Sequence, residues 1–335
     1  MRQSGEPFLY LKTLVRFAVH TQLLPVLESG EETLVGGQAV MEGVMMRAPH
    51  SYCVAVRKPD GEIVTEENPL PRMSEKYPIF KYPVLRGIGT LGQAMWLGMQ
   101  ALKFSADAAL SAEPPQPEGK KVEISSRMMW LNLAFSLVFF IFLYKFVPLL
   151  LTTQLEKVYP VLHGRIAFNF VDGIIRMGIF LSFLWLISRM EDIRRVFMYH
   201  GAEHKVVFNF ESGQPVNVAN AQKFVTWHPR CGTSFLLVVM VISMVIYALL
   251  PIDSFAGKFL ARIALLPVIV GLSYELIRYA AKRRSGLMAL LTAPGLWLQR
   301  ITTKEPTDDQ TAIAIHALDG AMKLEAKQGG ELVIA

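Results

Sequence analysis

Residues 128–151, MMWLNLAFSLVFFIFLYKFVPLLL, form the strongest apolar segment of the chain and decide its fold class. An α-helix rises about 1.5 Å per residue, so this segment is long enough for a bilayer core of roughly 30 Å. Lys145, near its far end, can extend its amine to the membrane interface. We therefore predict a membrane-spanning helix here.

Three further segments have the composition of membrane helices, at residues 173–188, 233–250 and 259–280. The first is short, and Asp172 and Arg176 beside its start lie four residues apart, where they can pair on one helix face. The second contains no charged residue. The sequence thus predicts a mainly α membrane protein with about four transmembrane helices.

The composition supports this class. Hydrophobic residues make up 52% of the 335 and charged residues only 19%, a balance that soluble globular chains rarely show. The two cysteines, Cys53 and Cys231, are far apart in the sequence, so we expect reduced thiols rather than a disulfide framework.

Basic residues predict the orientation, because positively charged connections stay in the cytoplasm. The connection after the first predicted span holds only Lys157 and Arg165, and the connection after the third holds only Lys258. We therefore expect a multi-pass protein of the bacterial cytoplasmic membrane with both termini cytoplasmic. The basic residues on the predicted cytoplasmic side are Lys120, Lys121, Arg127, Arg189, Arg194, Arg195, Lys205, Lys223, Arg230, Lys282, Arg283 and Arg284.

The N-terminal part reads as a small cytosolic α+β lobe. Two short β-type runs, 52–58 and 62–66, flank a turn at Pro59-Asp60-Gly61 and predict a β-hairpin. The apolar, glycine-containing segment 84–104 would place many basic residues outside if it crossed, so we predict a buried or interfacial helix.

The sequence predicts that the chain is divided into four consecutive regions. Lys12, Arg16 and His20 share one face of the first, an amphipathic helix that either lies on the membrane or packs on the protein itself. The C-terminal part has a predicted helix that begins near Asp308 or Asp309. The parts are an interfacial helix at 1–30, a cytosolic lobe and linker at 31–125, a four-helix membrane domain with a cytosolic loop (189–232) at 126–285, and a cytosolic tail at 286–335.

Two histidines suggest a metal site. The segment MYHGAEHK spells His-x-x-Glu-His, so His200 and His204 would lie one helical turn apart with Glu203 beside them. In hydrolases with this spacing, two imidazoles bind zinc and the carboxylate acts as general base. Gly201 weakens a helix here by roughly 1 kcal/mol.

The segment WHPRCGTSF supplies His228 and Cys231 at the cytosolic entrance of the third predicted span. That span runs antiparallel to the second, so both pairs would meet at one membrane face. Three histidines and a cysteine suit zinc or iron better than a hard cation. Glu275 is an additional candidate ligand, since a carboxylate in a membrane helix needs a partner, although Arg278 could equally be that partner.

Other interpretations of these residues remain open. His200 and His204 could contact lipid headgroups, and His228 could simply precede a helix. Cys231 could also act as a nucleophile with His228 as its base.

A second group of residues lies in GGQAVMEGVMMRAPHS, residues 36–51. Its glycines permit tight turns, and Glu42 could pair with Arg47. One interpretation is a loop that folds onto the histidines and contributes Glu42 or His50. The other is a segment that packs the lobe against the membrane domain with a buried ion pair.

Four motifs in order, GGQAVMEGVMMR, YPVLRG, YHGAEHK and HPRCGTSF, resemble those of the YqhQ family of bacterial membrane proteins, domain of unknown function 1385. The resemblance covers the chain from about Gly36 to the tail. It implies a cytosolic N-terminal part, several membrane helices and a metal-dependent enzyme, without naming a reaction.

Two functions follow as hypotheses. The first is a metal-dependent hydrolase that acts at the membrane interface. The second is a non-catalytic scaffold or accessory factor for membrane-protein insertion, whose basic face binds a translocon, a ribosome or anionic lipid. In both cases the lipid bilayer is a partner, and we expect no sequence-specific nucleic-acid binding.

Overall fold

The computed structural model describes residues 35–71, 73–110, 126–228, 231–282 and 286–327. The amphipathic helix predicted at 1–30 and most of the predicted linker lie outside the described residues.

Four strands form one antiparallel sheet in the order β1-β2-β3-β4. The predicted hairpin is confirmed as β3–β4, with Arg57 opposite Ile63. Strands β1 and β2 come from the glycine-rich segment, and Val40 lies opposite Gly43 across a two-residue turn. Glu42 takes a positive φ of 52° in that turn. The strands are β1 (Gly36–Val40), β2 (Gly43–Arg47), β3 (Ser51–Arg57) and β4 (Ile63–Pro69).

Helices make up most of the remaining described chain. Two of them, α6 and α7, lie in the predicted cytosolic loop 189–232, and α6 contains the helical turn predicted for His200 and His204. The helices are α1 (Met73–Lys76), α2 (Leu85–Leu110), α3 (Ser126–Ile141), α4 (Val147–Glu156), α5 (Arg165–Ile187), α6 (Glu191–Glu211), α7 (Val218–Ala221), α8 (Gly232–Leu249), α9 (Phe255–Ala264), α10 (Leu266–Lys282), α11 (Gly286–Thr302) and α12 (Asp308–Lys327). A π-helical turn, Phe142–Phe146, joins α3 to α4, and 3₁₀ turns occupy Pro78–Lys81 and Pro160–His163.

Helices cover both faces of the sheet, and we call this unit the sheet lobe. Side chains alternate along a strand, so Met45 and Val54 face α2 while Met46 and Ala55 face α6 and α12. Strand β3 is therefore buried from Ser51 through Val56, as expected for a central strand between two helical layers.

Helix α12 is an integral part of this core. It buries Ile313, Ala314, Ala317, Leu318 and Ala321 on one face against the sheet and α6. A Cβ on Gly320 would lie 2.5 Å from Sγ of Cys53, so the helix reaches this distance from β3 only with glycine there. The segment predicted as a tail therefore completes the hydrophobic core of the N-terminal strands, because its apolar stripe needs a surface to cover.

The remaining long helices form an apolar bundle of α3, α4, α5, α8, α9, α10 and α11. Three segments are long and apolar enough to cross a bilayer: Ala134–Glu156, Arg165–Ile187 and Gly232–Leu249. Helices α9 and α10 would form a fourth span together, although the chain bends by 51° between them. Among the described residues the structure thus contains three to four candidate spans, where the sequence predicts about four.

Helix α2, which contains the predicted segment 84–104, connects the two units. Its later part contacts the sheet through Leu97 and Ala101, and both side chains are buried. Its N-terminal part packs on α10, where a Cβ on Gly87 would come within 2.6 Å of the Tyr274 side chain. The sheet lobe is thus joined to the bundle by direct packing.

A substitution at Gly201 would test how closely the neighbouring backbone approaches α6. A Cβ at this position would lie 2.1 Å from the carbonyl oxygen of Lys304, in the backbone segment that follows α11. We expect Gly201→Ala to destabilise the protein by about 1–3 kcal/mol, because a backbone atom must move to admit the methyl group. Helix propensity alone would predict the opposite sign.

Gly92→Ala is the matched control, because Gly92 is a helical glycine of α2 with nothing within 4 Å of an added Cβ. It should be neutral or stabilising by up to about 1 kcal/mol. Chemical unfolding of the purified full chain measures both variants. Equal stabilisation by the two alanines would contradict the close approach at Gly201.

Candidate metal centre

Helix α6 brings His200 and His204 together on one face. Their ring centroids are 4.4 Å apart, as expected for residues one helical turn apart. Tyr199, Ala202 and Val206 lie on the opposite face of the helix and are buried against the sheet. Burial of this apolar face therefore fixes the direction in which the histidines project.

Backbone carbonyls hold both imidazoles by the same nitrogen. Nδ1 of His200 lies 2.8 Å from the Thr302 carbonyl oxygen, and Nδ1 of His204 lies 2.5 Å from the Thr226 carbonyl oxygen. A carbonyl oxygen only accepts hydrogen bonds, so each Nδ1 carries a proton, and Nε2 is the ring nitrogen on the side of a possible metal ion. Metal-binding histidines show this arrangement, in which the second ring nitrogen donates to an oxygen of the protein.

Cys231 completes a group of three ligand atoms. Its Sγ lies 3.3 Å from Nε2 of His200, and one ligand atom from each of His200, His204 and Cys231 lies within 4.8 Å of the others. Zinc bond lengths of about 2.1 Å to nitrogen and 2.3 Å to sulfur in a tetrahedron place N and S roughly 3.5 Å apart. The His200–Cys231 distance is close to this value, so the three residues could hold one metal ion.

The N-terminus of α8 stabilises the sulfur. Cys231 is the N-cap residue, and Thr233 donates its backbone N–H to Sγ over 3.5 Å while its Oγ1 lies 3.1 Å away. This contact holds the sulfur at the N-terminus of α8.

His228 lies beside this group and not in it. Its Nε2 is 3.4 Å from Oε2 of Glu211, and its ring packs on Phe208 with the centroids 4.4 Å apart. The centroids of His204 and His228 are 5.7 Å apart, so His228 covers one side of His204. The structure thus brings together three of the four predicted ligands.

Gln299 of α11 holds the backbone of His228. Its Oε1 accepts the His228 N–H over 2.7 Å, and its Nε2 donates to the His228 carbonyl over 2.7 Å and to Ser234 Oγ over 2.9 Å. These bonds connect α11 to both sides of Cys231. They fix the cysteine relative to the helix bundle.

Burial keeps the inner histidines neutral. It lowers the pKa of His204 to about 4, and the neighbouring His200 lowers it further. Burial also lowers the pKa of His228 to about 4, against the opposing effect of the Glu203 carboxylate. A neutral imidazole can bind a metal without first losing a proton.

Glu203 lies between the sheet and the histidines. Its Oε2 is 3.4 Å from Nε2 of His204, and the residue is 6% exposed. A Cβ on Gly37 of β1 would lie 2.8 Å from Cγ of Glu203, so the glycine-rich hairpin packs directly on this side chain. The carboxylate thus lies next to the Nε2 atom of His204.

The other predicted residues of the hairpin region lie elsewhere. The Glu42 carboxylate accepts two hydrogen bonds from Arg195, at 2.6 and 2.7 Å. Arg47 lies at the far end of β2 from Glu42, so the predicted pair of these two does not form. His50 Nδ1 lies 2.9 Å from Oε1 of Glu325 and so anchors α12 instead.

Glu275 is also outside the metal group. Its carboxylate accepts hydrogen bonds from the guanidinium of Arg86 and from the Val84 N–H, the latter at 3.1 Å. The partner of this carboxylate is therefore Arg86 of α2, and the pair joins α2 to α10.

No sequence prediction included Thr226, Thr302 or Gln299, which hold the histidines in the structure. The two threonines act through backbone carbonyls, which every residue has, so no sequence signal identifies them. Gln299 is a polar residue within the otherwise apolar run GLWLQ, and this contrast is the signal that could have indicated it.

The two cysteines should differ in reactivity. Burial, together with Glu67, raises the pKa of Cys53 to about 12, whereas Cys231 is partly exposed. We expect a maleimide at neutral pH to label one thiol of the native full chain, with labelling lost in Cys231→Ala and kept in Cys53→Ala. Added zinc should slow the reaction. Equal labelling of both cysteines in folded protein would contradict this arrangement.

Comparison with known proteins agrees with the four-motif resemblance. The sequence profile of a family described as protein of unknown function (DUF1385) matches residues 82–324. A Bacillus subtilis (strain 168) protein with the name "Uncharacterized protein YqhQ" is 36% identical over 300 residues, which cover 87% of this chain and 93% of the relative. No solved structure matches the chain. The chain belongs to the DUF1385 family.

Proposed function

We propose that this chain is a multi-pass membrane protein with a cytosol-facing zinc or iron site on His200, His204 and Cys231. We propose further that it is a metal-dependent hydrolase acting at the membrane interface. The observation that carries the proposal is the convergence of three ligand atoms within 4.8 Å while both histidines are held by Nδ1. Two imidazoles and a thiolate favour zinc over a hard cation.

The ligand count favours catalysis over a purely structural role. Structural zinc sites usually have four protein ligands, whereas catalytic sites have three and keep one position for water or substrate. Among the described residues three ligands converge here, and two of them, His200 and Cys231, are partly exposed. A bound zinc ion would polarise a water molecule or a substrate carbonyl.

Glu203 is the proposed general base. Its carboxylate lies 3.4 Å from the Nε2 atom of His204, so a water molecule placed among the ligands would be within its reach. Its position on the sheet side is fixed by contact with Gly37. It would accept a proton from the attacking water and then donate it to the leaving group.

The location supports a substrate at the membrane surface. Cys231 caps α8, one of the candidate spans, and α6 begins four residues after α5 ends. The Arg189 guanidinium lies 4.6 Å from the ring centroid of the exposed Trp185 at that end of α5. Aromatic and basic residues of this kind are typical of a membrane interface. We propose that this end faces the cytoplasm and that lipid-linked or membrane-bound molecules are the substrates.

Metal content tests the site. We expect full-length protein purified in detergent to bind one zinc or iron ion by elemental analysis. His200→Ala, His204→Ala and Cys231→Ser should each reduce this content strongly, because the two remaining ligands hold the ion poorly. His316→Ala is the matched control, since His316 lies exposed on α12 of the same lobe. Metal-free protein that is fully folded would overturn the site.

Hydrolysis tests the role of Glu203. The zinc-loaded full chain would be assayed on micellar and water-soluble esters. We expect Glu203→Gln to keep its zinc. Its rate of ester hydrolysis should fall roughly 10²–10⁴-fold, which is the usual contribution of a general base. Glu42→Gln, a carboxylate held by Arg195 at the hairpin turn, is the control and should keep its rate. An unchanged rate in Glu203→Gln would exclude this role.

A non-catalytic scaffold for membrane-protein insertion is the second candidate. It is supported by an exposed apolar stripe on α2, formed by Met95, Trp96, Met99 and Leu102. In that case a translocon, a ribosome or anionic lipid would be the partner. Copurification of a stoichiometric partner with the wild type and equally with Cys231→Ser would favour this candidate over the hydrolase.

A further inference from the structure

The bundle contains a second polar centre, far from the histidines. Asp172 and Arg176 lie in the middle of α5, whereas the histidines lie on α6, which begins after α5 ends. We call it the cationic cluster, and its members are buried: Lys145, Asp172, Arg176, Tyr247 and Arg262.

Local backbone structure directs Lys145 into this cluster. The residue lies in the π-helical turn between α3 and α4 and is 9% exposed. Its Nζ lies 3.2 Å from the Tyr247 hydroxyl. Lys145 thus points into the bundle, and it does not extend to the interface as the sequence suggests. Single π-turns within helices often mark functional sites.

One carboxylate binds both arginines. Asp172 accepts hydrogen bonds from the guanidinium of Arg176 and, over 2.5 Å, from Arg262. The remaining polar contacts are to neutral groups, since Arg176 donates to Ser243 Oγ over 2.8 Å and Arg262 donates to Asn169 Oδ1 over 3.1 Å. Nε of Arg176 is buried without a hydrogen-bond partner among the described residues.

The three cations surround a single aromatic ring. Lys145 Nζ lies 5.5 Å from the Tyr247 ring centroid, and the guanidinium carbons of Arg176 and Arg262 each lie 5.3 Å from it. The ring and Asp172 attract these charges, but the two guanidinium groups alone exceed the one carboxylate by one charge. Unpaired charge is strongly disfavoured in apolar surroundings, so the cluster favours an additional anion.

A cavity of about 230 Å³ leads to the cluster. Arg262, Tyr247 and Asn169 form its buried floor, and Arg165 and Lys258 lie among the residues at its more exposed rim. Its volume is below the roughly 300–1,000 Å³ of pockets for drug-sized ligands, so it suits a small polar group. Two acidic residues, Glu156 and Asp253, also line it and balance the two basic residues of the rim.

We propose that this cavity binds an anionic phosphate group, either on a phospholipid headgroup or as free phosphate. Phosphate oxygens accept hydrogen bonds from several donors at once, and guanidinium groups match them in geometry. Arg262 and Tyr247 provide polar groups at the floor, and Arg176 and Lys145 supply positive charge behind them. The site shares no residue with the proposed metal site and does not depend on it.

Two probes distinguish the sources of phosphate. The full chain in neutral detergent would receive sodium phosphate, with sodium chloride at equal ionic strength as reference, or short-chain phosphatidylglycerol, with phosphatidylcholine as reference. Thermal unfolding and native mass spectrometry measure binding. A response to phosphatidylglycerol alone identifies a lipid headgroup, and a response to inorganic phosphate identifies a free anion. No response to either probe overturns the proposal.

Variants with opposite charge effects test the cluster itself. Lys145→Met should weaken binding roughly tenfold or more, the effect expected for loss of one charged partner. Asp172→Asn should bind at least as tightly as the wild type, because it removes the competing anion. Lys157→Ala, an exposed basic residue in the connection between α4 and α5, is the matched control and should bind normally.

Equal weakening by Lys145→Met and Asp172→Asn would mean that the network only supports the fold, and it would overturn the proposal. If either buried variant fails to fold, Arg165→Ala replaces it, since Arg165 is exposed at the rim of the cavity. Its binding should weaken relative to Lys157→Ala, and identical binding by these two surface variants would also count against the site.

Discussion

The burial of α6 against the sheet is the interaction on which the rest of the structure depends. Tyr199, Ala202 and Val206 occupy one side of the helix and pack into the core with β1, β2 and α12. Because successive helical residues are about 100° apart, burial of this side directs His200 and His204 to the opposite side. Glu203 falls between the two directions and contacts both the hairpin and His204.

The surroundings of α6 then turn a helical pair of histidines into a site with defined geometry. The chain after α11 passes so close to α6 that only glycine fits at position 201, and the carbonyl of Thr302 reaches His200. The carbonyl of Thr226 holds His204 in the same manner. Gln299 fixes the segment before α8, which places Cys231 opposite the two imidazoles. Backbone carbonyls and one buried amide, that of Gln299, therefore position the side chains of this group.

The buried polar groups of the bundle differ in charge from those of the candidate metal group. The candidate metal group consists of two imidazoles and one sulfur, and burial lowers the pKa of His204 to about 4. The cationic cluster has three basic side chains around Tyr247 and one carboxylate, and its electrostatic balance depends on what enters the cavity. The cationic cluster includes residues from the middle of α5, whereas the histidines lie on α6, beyond the end of α5.

The apolar helices, the β3–β4 hairpin and the shared helix face of His200 and His204 could be predicted from the sequence, because each depends on residues that are close along the chain. Hydrophobic length, a turn tripeptide and i, i+4 spacing are local properties. Three other features could not be predicted without the folded structure. Strands β1–β2 and α12 complete the sheet lobe, Cys231 joins the histidines while His228 lies beside them, and Glu275 binds Arg86. These outcomes depend on which distant surfaces pack together and on backbone carbonyls whose direction no side chain encodes.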